Sequence, residues 1–597
     1  MPDAMPSMPR DRRPDIVMIL TDDHAAHAIG AYGSVLNSTP RIDEIGELGW
    51  RFDNCFATNS LCSPSRASIL TGTYSHINGV TTLVTPIDAS QPTFVSLLKE
   101  AGYRTAMVGK WHMGDGPGHD PQHFDYWDVF IEQGEYHNPR LLSQDGLRTV
   151  PGYATDIVTD LALDWMSSVS DEDGPVCVLI YHKAPHRPWE PPLPSSPSSS
   201  SSSPLPPPSS SPLPPPSSSP LPPPSPLPSP SSSPSSSPSS SPSPSPSPLP
   251  SPLPSPSPSS SPSSSPSSSP SPSPSPSPSL PPSSSPSSSW LPSPSSPLPS
   301  LPSPSSLPLS SSAYGGVPVP GTFFDDYASR SSSARRAAMR IAEHLSREDL
   351  KIDPPAGLSY EDEALWKYQR FMEDYLACVA SVDANVGRVI DWLRERGRLA
   401  DTLLMYGSDQ GFFLGEHGWF DKRFMYEESL RMPLLLSYPR RLPGGRVFTD
   451  IVTNVDWAQT ILDAAGVGHH PRMQGRSFWP DLLGSDAAAP PAVGMYYRYW
   501  EHDDVFHKAP AHYGYRTADY KLIYFYNDGL GLPGTGAFTY PPEWELYDLV
   551  NDPSETRNVY NEPSYRAVRD ELTAAMWREQ ARLGDTPHPS QPRPAGV

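Results

Sequence analysis

The chain has 597 residues, with 43 Lys and Arg set against 65 Asp and Glu, for a formal charge of −22. That acidic balance argues against sequence-independent binding to nucleic acid or to an anionic membrane, since both reward an excess of Lys and Arg. Four cysteines in so long a chain do not make a disulfide framework, and no run approaches the roughly 20 apolar residues of a membrane span.

The first residues, MPDAMPSMPRDRRP, carry no apolar core of signal-peptide length, so a soluble, cytoplasmic protein is expected. DIVMILTDDH (15–24) then reads as a strand that ends in two carboxylates. LCSPSRASILTG (61–72) reads as a short helix closed by glycine, with Cys62 in its first turn and Pro64 as its first residue, where a missing N–H costs little. TFVSLLKEAG is a helix with Gly102 as its cap. YRTAMVGKWH (103–112) and CVLIYHKAPH (177–186) repeat the pattern of an apolar run ending in polar, chemically capable residues. Cys177, within such a run, and Cys378, in YLACVASV, are expected to be buried small hydrophobes.

From Leu193 to Ser312 the chain is almost entirely Ser, Pro and a little Leu. Such a composition cannot bury enough apolar surface to offset the entropy of ordering. It is expected to be a disordered insertion in a surface loop, which a host domain tolerates because loop-closure entropy grows only logarithmically. The longest helix is expected over Glu361–Arg396, its apolar positions Leu365, Met372, Leu376, Val379, Val382, Val386, Val389 and Leu393 keeping one face. LLMYGSDQG (403–411) is the fourth strand of the set.

Four short apolar runs alternating with helices predict an α/β fold, a mainly parallel sheet sandwiched by helices. Ligands bind such sheets outside the carboxyl ends of the strands. After about Leu483 the aromatic segments VGMYYRYWEH, YKLIYFYN and EWELYDLVNDP and a last helix near Tyr565–Leu583 predict a smaller C-terminal α+β domain, an antiparallel sheet with a helix packed on it. The organisation that follows is 12–192 and 313–484 for the main domain, 193–312 for the insertion and 485–597 for the small domain.

The strand ends carry the chemistry. Asp22, Asp23, Asp409 and Gln410 form an all-oxygen set suited to a hard cation, Ca²⁺ or Mg²⁺, rather than zinc. Arg66, Lys110, His112, His182, Lys183, His186 and Lys422 form a cationic set able to clamp a tetrahedral oxyanion. Lys110 and His112, spaced two apart, share one side in extended structure. Cys62 sits at the positive end of its helix, suited to a nucleophile that engages an anion. Together these read as hydrolysis of a sulfate or phosphate ester, while a plain thiolate at Cys62 would also suit a phosphatase or peptidase.

Cys62-Ser-Pro-Ser-Arg-Ala-Ser-Ile-Leu-Thr-Gly72 resembles the signature of the formylglycine-dependent sulfatases of the alkaline-phosphatase-like superfamily. TDDH, GKWHMG, KAPHRPW, the SDQGFFLGEHGWFDKRFMYEESLRMPLLL block and WELYDLVNDPSETRNV extend the resemblance over nearly all of the chain outside the Ser/Pro tract. The resemblance implies that a formylglycine-generating enzyme oxidises Cys62 to formylglycine (3-oxoalanine). One hydroxyl of the aldehyde hydrate attacks sulfur, and the second expels sulfate from the covalent adduct. It implies Ca²⁺ held by Asp22, Asp23, Asp409, Gln410 and the modified residue 62. Arg66 would steady the diol and the metal shell, Lys110 and His112 would contact diol and sulfate, and His186 and Lys422 the sulfate and the leaving oxygen, with His186 as general acid. Gln410 departs from the Asn or His common in the family, and has one more methylene to position.

For substrate, the aromatic C-terminal segments resemble sulfatases acting on sulfated sugars, including glucosamine 6-sulfatases, with His502, His507 and His512 as candidates facing the substrate. A small aryl sulfate is the second substrate class. Three rival functions stand beside this one: a phosphonate monoester or phosphodiester hydrolase of the same superfamily, a non-catalytic glycan-binding protein if Cys62 stays unmodified, and an ordinary cysteine hydrolase.

Overall fold

The computed structural model describes residues 13–170, 174–192, 316–486 and 488–594. The Ser/Pro tract, with the disorder expected of it, lies outside the described residues. Every described residue falls in one unit, to which both sides of the tract contribute.

The centre of that unit is a ten-stranded sheet. From one edge its order is 446–448, 50–52, 434–437, 402–408, 15–21, 176–181, 104–109, 126–130, 140–143 and 146–149. Asp15–Thr21 runs parallel to both Val176–Tyr181 and Thr402–Ser408, and Arg104–Gly109 runs parallel to Val176–Tyr181 and Tyr126–Phe130. Antiparallel pairs enter only toward the edges, as at Leu434–Ser437 against Thr402–Ser408. The sheet is therefore mainly parallel, as its apolar runs predict.

The reason is visible in Asp15–Thr21, buried along its whole length. Val17 and Ile19 join one core with the long helix, whereas Ile16, Met18 and Leu20 join a second core on the opposite face. Alternate side chains of one strand thus bury against separate helical layers, which a parallel sheet requires. The long helix spans Tyr360–Glu395. Ser359 caps it by accepting from the Asp362 amide, and Glu361, Asp362 and Glu363 occupy the first turn, where the helix dipole favours acids. Gly397, at φ 67°, follows its end.

The C-terminal sheet is separate and antiparallel, in the order Gly494–Tyr499, His512–Thr517, Tyr520–Phe525 and Glu543–Asp548. The last helix, Arg566–Leu583, packs Leu572, Met576 and Leu583 against Tyr496, Tyr513, Tyr515 and Leu522 of this sheet. Among the described residues, no helix is long and apolar enough to cross a membrane.

Candidate active site

Parallel pairing brings the polar strand ends to one edge. Leu20 stands opposite Tyr181, Gly109 opposite Tyr181, and Thr21 opposite Ser408, so Asp22, Lys110, His182 and Asp409 all leave the sheet at the same level. Gly109 permits one of these exits. Its φ is 101°, and a Cβ there would collide with the Tyr181 carbonyl oxygen, which accepts the Lys110 amide at 2.7 Å. Asp23 adopts a left-handed φ of 67°, and its carbonyl accepts from Tyr375 Oη of the long helix at 2.9 Å.

The helix carrying the cysteine, Cys62–Thr71, is buried at every residue and ends at Gly72 with φ 62°. It begins at Cys62 itself, so Pro64 is its third residue and not its first. A proline is tolerated there as well, because none of the first four N–H groups has an intrahelical acceptor. Cys62 Sγ lies 3.3 Å from Asp22 Oδ1. One turn on, Arg66 spreads its guanidinium over three loops: Nε to Asp409 Oδ2 at 2.9 Å, Nη2 to Asp22 Oδ2 at 3.0 Å and Nη1 to the Lys110 carbonyl at 2.5 Å. Ser65 Oγ donates to the Asp409 carbonyl. The helix is thereby fixed to strand ends from three parts of the chain.

Opposing cations meet the carboxylates. Lys110 Nζ pairs with Asp22, and Lys422 Nζ donates to both Asp23 oxygens at 2.6 and 2.7 Å. Burial opposes ionisation of Asp22, but Lys110, with Arg66 and Lys422, outweighs it and holds this carboxyl well below the usual range. Burial raises Asp23 to about 7 against the pull of Lys422, with Asp22 adding to the rise. Burial and Asp22 raise Asp409 to about 6, with Arg66 opposing.

Oxygens of Asp22, Asp23 and Asp409 lie within 4.8 Å of one another, and so do ligand atoms of Asp22, Cys62 and His186. Gln410 Nε2 donates to Asp23 Oδ1 at 2.6 Å, which leaves its buried Oε1 without a partner among the protein atoms. Three crowded carboxylates and an orphaned amide oxygen fit a hard cation, which would satisfy the oxygen and neutralise the crowding.

The histidines depart from the expected cationic set. His112 and His186 are held well below the usual imidazole range by burial, with Lys110 adding to the effect, and burial alone takes His182 to about 3. The cations among the seven are therefore Arg66, Lys110, Lys183 and Lys422. His186 Nε2 stands 3.6 Å from Asp23 Oδ2, and its Nδ1 lies 2.5 Å from the Arg187 carbonyl, an acceptor that places the ring proton on Nδ1. Lys183 turns away, 3.5 Å from that same carbonyl and 4.9 Å over the Tyr136 ring. Lys110 and His112 are not an extended pair either: the strand ends at Gly109 and His112 has φ 56°.

Of the three C-terminal histidines, His507 alone reaches the rim. Its Nε2 lies 3.3 Å from Asp421 Oδ2, next to Lys422, and 3.5 Å from Arg187 Nη1, next to His186. His512 is buried among Phe424, Tyr497, Tyr499 and Phe525, and His502 lies buried beside Tyr540. An aromatic-walled sheet packs flat imidazoles as core. Gln133, absent from the residues expected at the site, also reaches it: its Oε1 accepts from Lys110 Nζ at 2.5 Å. No local pattern marks it, because it comes from a loop that reaches the site only in the fold.

A sulfatase family model matches residues 14–467, and a model of the C-terminal part of N-sulphoglucosamine sulphohydrolase matches residues 415–582. An N-acetylglucosamine-6-O-sulfatase of Bacteroides thetaiotaomicron is 34% identical over 629 residues, spanning 98% of this chain and 89% of that protein. An N-acetylglucosamine-6-sulfatase of Capra hircus is 32% identical over 200 residues, 30% of this chain and 35% of its own. A solved complex of a protein with its substrate D-glucosamine-2-N,6-O-disulfate superimposes with a TM-score of 0.70 at 31% identity, covering 96% of this chain and 98% of that one. The phosphonate monoester hydrolase of Agrobacterium radiobacter shares the fold, with a TM-score of 0.59 at 16% identity over 96% of each chain.

Proposed function

The chain belongs to the sulfatase family and is a sulfuric ester hydrolase, and from that premise we propose that it removes the 6-O-sulfate of an N-acetylglucosamine or glucosamine unit, using residue 62 in its formylglycine form and a divalent cation. The substrate reading is carried by one observation: a relative named for that activity matches 98% of the chain.

The site supports the formylglycine reading in its own terms. Burial, with Asp22 adding, pushes the Cys62 thiol far above its usual range, so the side chain is poorly suited to act as a thiolate. A cysteine in the first turn of a buried helix, 3.3 Å from the Asp22 carboxylate with which Lys110 also pairs, makes sense as a precursor. As a hydrated aldehyde, residue 62 supplies a hydroxyl nucleophile and a second hydroxyl that allows the aldehyde to be regenerated. Asp22, Asp23, Asp409 and Gln410 would hold Ca²⁺, or Mg²⁺ as the other hard ion, which supplies positive charge beside the sulfate oxygens.

The chain's own groups do the remaining work. Arg66 orients Asp22 and Asp409. Lys110 and Lys422 hold the sulfate oxygens, Lys422 also assists the leaving oxygen, and Gln133 restrains the Lys110 ammonium. His186 carries a lone pair on Nε2 in the free protein; an arriving sulfate anion favours a proton there, from where it passes to the leaving alkoxide. His112, two residues after Lys110 and with a buried Nδ1 that has no protein partner, is the further group assigned to the sulfate.

The test measures inorganic sulfate released by protein from its native host, or co-produced with a formylglycine-generating enzyme. Turnover is expected on N-acetylglucosamine 6-sulfate and to exceed that on N-acetylgalactosamine 6-sulfate, an aryl sulfate and a phosphonate monoester. A preference for the phosphonate, or a tryptic peptide holding only cysteine at 62 in active protein, overturns the reading.

A further inference from the structure

Lys422 is held in an unusual backbone setting. The residues on both sides of it adopt left-handed conformations, Asp421 at φ 77° and Arg423 at φ 91°, where side chains other than glycine are strained. Such a conformation persists only when its surroundings over-determine it. For Arg423 those surroundings are the edge strand of the small C-terminal sheet and the residues just after it. Arg423 Nη1 donates to Glu501 Oε2 at 3.0 Å and to Tyr499 Oη at 3.0 Å, and the Arg423 carbonyl accepts from Tyr497 Oη at 2.6 Å. Tyr499 Oη donates in turn to Glu501 Oε2 at 3.2 Å.

Two of these three side chains, Tyr497 and Glu501, also hold the opposite wall of the site. Tyr497 Oη accepts the Ser60 amide at 3.2 Å, two residues before Cys62. Glu501 Oε1 accepts the Leu83 amide at 2.6 Å, and the Leu83 carbonyl accepts from Ser63 Oγ at 3.1 Å. Ser63 Oγ also donates to the His112 carbonyl at 2.6 Å. Both bridging residues are buried, Tyr497 at 0% and Glu501 at 3% exposure. Tyr497 therefore spans directly from the segment bearing Cys62 to the segment bearing Lys422, and Glu501 does so through Leu83 and Ser63; neither hydrogen-bonds to Asp22, Asp23, Asp409 or Cys62.

We propose that the edge strand Gly494–Tyr499 and the residues after it form a clamp on the active site, with Tyr497 and Glu501 as positioning residues that set the separation between residue 62 and the Lys422 ammonium. The small domain is then a working part of the site and not an appendage. This rests on the sulfatase reading, in which Lys422 acts on the sulfate and the leaving oxygen. Misplacing a group that assists departure matters most when the leaving group is poor. A sugar alkoxide needs that assistance, and a nitrophenolate scarcely does.

The experiment compares wild type with Tyr497→Phe and Glu501→Gln, both isosteric, and with Glu501→Ala. Conversion of residue 62 is measured by peptide mass, and melting temperature is followed in parallel. On the sugar 6-sulfate, kcat should fall by up to about 100-fold, the cost of misplacing a group by roughly 1 Å, with KM changing much less. The loss on an activated aryl sulfate should be at least about tenfold smaller, and Glu501→Gln should be milder than Glu501→Ala. Equal losses on both esters, an unchanged kcat, or a loss that follows unconverted residue 62 or unfolding overturns the clamp. A crystal structure of Tyr497→Phe or Glu501→Ala in which Lys422 Nζ still sits on Asp23 overturns it whatever the kinetics. Wild-type protein that prefers another ester strikes the substrate reading instead, and the crystallographic arm still decides the clamp.

Discussion

Arg66 Nε and Asp409 Oδ2 lie 2.9 Å apart with both side chains fully buried, and the same guanidinium reaches Asp22 and the Lys110 carbonyl. A lysine there can satisfy one of the three partners, because its ammonium is a point charge and not a fork. Arg66→Lys should therefore lose most sulfate-ester hydrolysis. Arg66→Ala should also cost about 3–5 kcal/mol of stability, the usual penalty for orphaning a buried charge. Urea denaturation alongside sulfate release checks both. A lysine variant with ordinary turnover removes Arg66 from the catalytic account.

Asp409, a proposed ligand of the divalent ion, allows metal binding to be tested apart from folding. Asp409→Asn keeps the side chain's shape and an acceptor for Arg66, but removes a negative charge from the crowded set of Asp22, Asp23 and Asp409. Its divalent ion, measured by elemental analysis after dialysis, should be largely lost, together with activity. A ligand bound at about 1,000 times its dissociation constant stabilises by about 4 kcal/mol. EDTA should accordingly lower the melting temperature of wild type and leave that of Asp409→Asn nearly unmoved. Equal responses would mean that the ion sits elsewhere.

The cysteine gives a chemical test that needs no substrate. All four cysteines are buried and free of disulfides. Burial, with Asp22 adding, disfavours the Cys62 thiolate, and the thiolate is the alkylating nucleophile. Folded, unconverted protein at neutral pH should resist iodoacetamide at Cys62 until it is denatured, as read by peptide mass. Rapid native labelling would favour the cysteine-hydrolase alternative. Cys62→Ala, which lacks any precursor for the aldehyde, should show no sulfate release.

What the sequence reveals and what it hides divide along a physical line. The strand ends at Asp22, Lys110, His182 and Asp409 are legible because each is local: an apolar run buried on both faces, then an abrupt polar residue. The long helix is legible from its repeating apolar face, and the cysteine helix from its spacing. Protonation is not local. Whether His112 or His186 is a cation depends on Lys110 and on burial, neither of which its own neighbours in sequence disclose. Contacts arriving from distant segments are equally silent, as with Gln133 on Lys110 or Glu501 on Arg423. His512 shows the converse error: a histidine among tyrosines reads as a sugar platform, and the fold uses it as core.

Glu428 supplies a pH-dependent prediction away from the reacting groups. Its Oε2 is buried with no hydrogen-bond partner, and the nearest imidazole nitrogen, His417 Nε2, is 4.0 Å away. Burial, reinforced by Glu416 and Glu555, pushes this carboxyl up to about 8, from 4.5 for an unperturbed glutamate. Between those two values the folded chain keeps a proton that the unfolded chain has released, so stability falls as pH rises through the window. Below 4.5 both states are protonated and the group contributes no pH dependence; above about 8 both have ionised and the loss is complete. Glu428→Gln fixes the neutral form in both states. Its unfolding free energy should therefore gain on that of wild type by up to about 1.4 kcal/mol per pH unit across the window, and the gain should level off beyond pH 8. Denaturant titrations at pH 5, 6.5, 8 and 9 measure the difference directly. A gap that stays flat over that range would show that Glu428 is ionised in the folded chain, paired with a cation or water-bridged partner that its burial conceals.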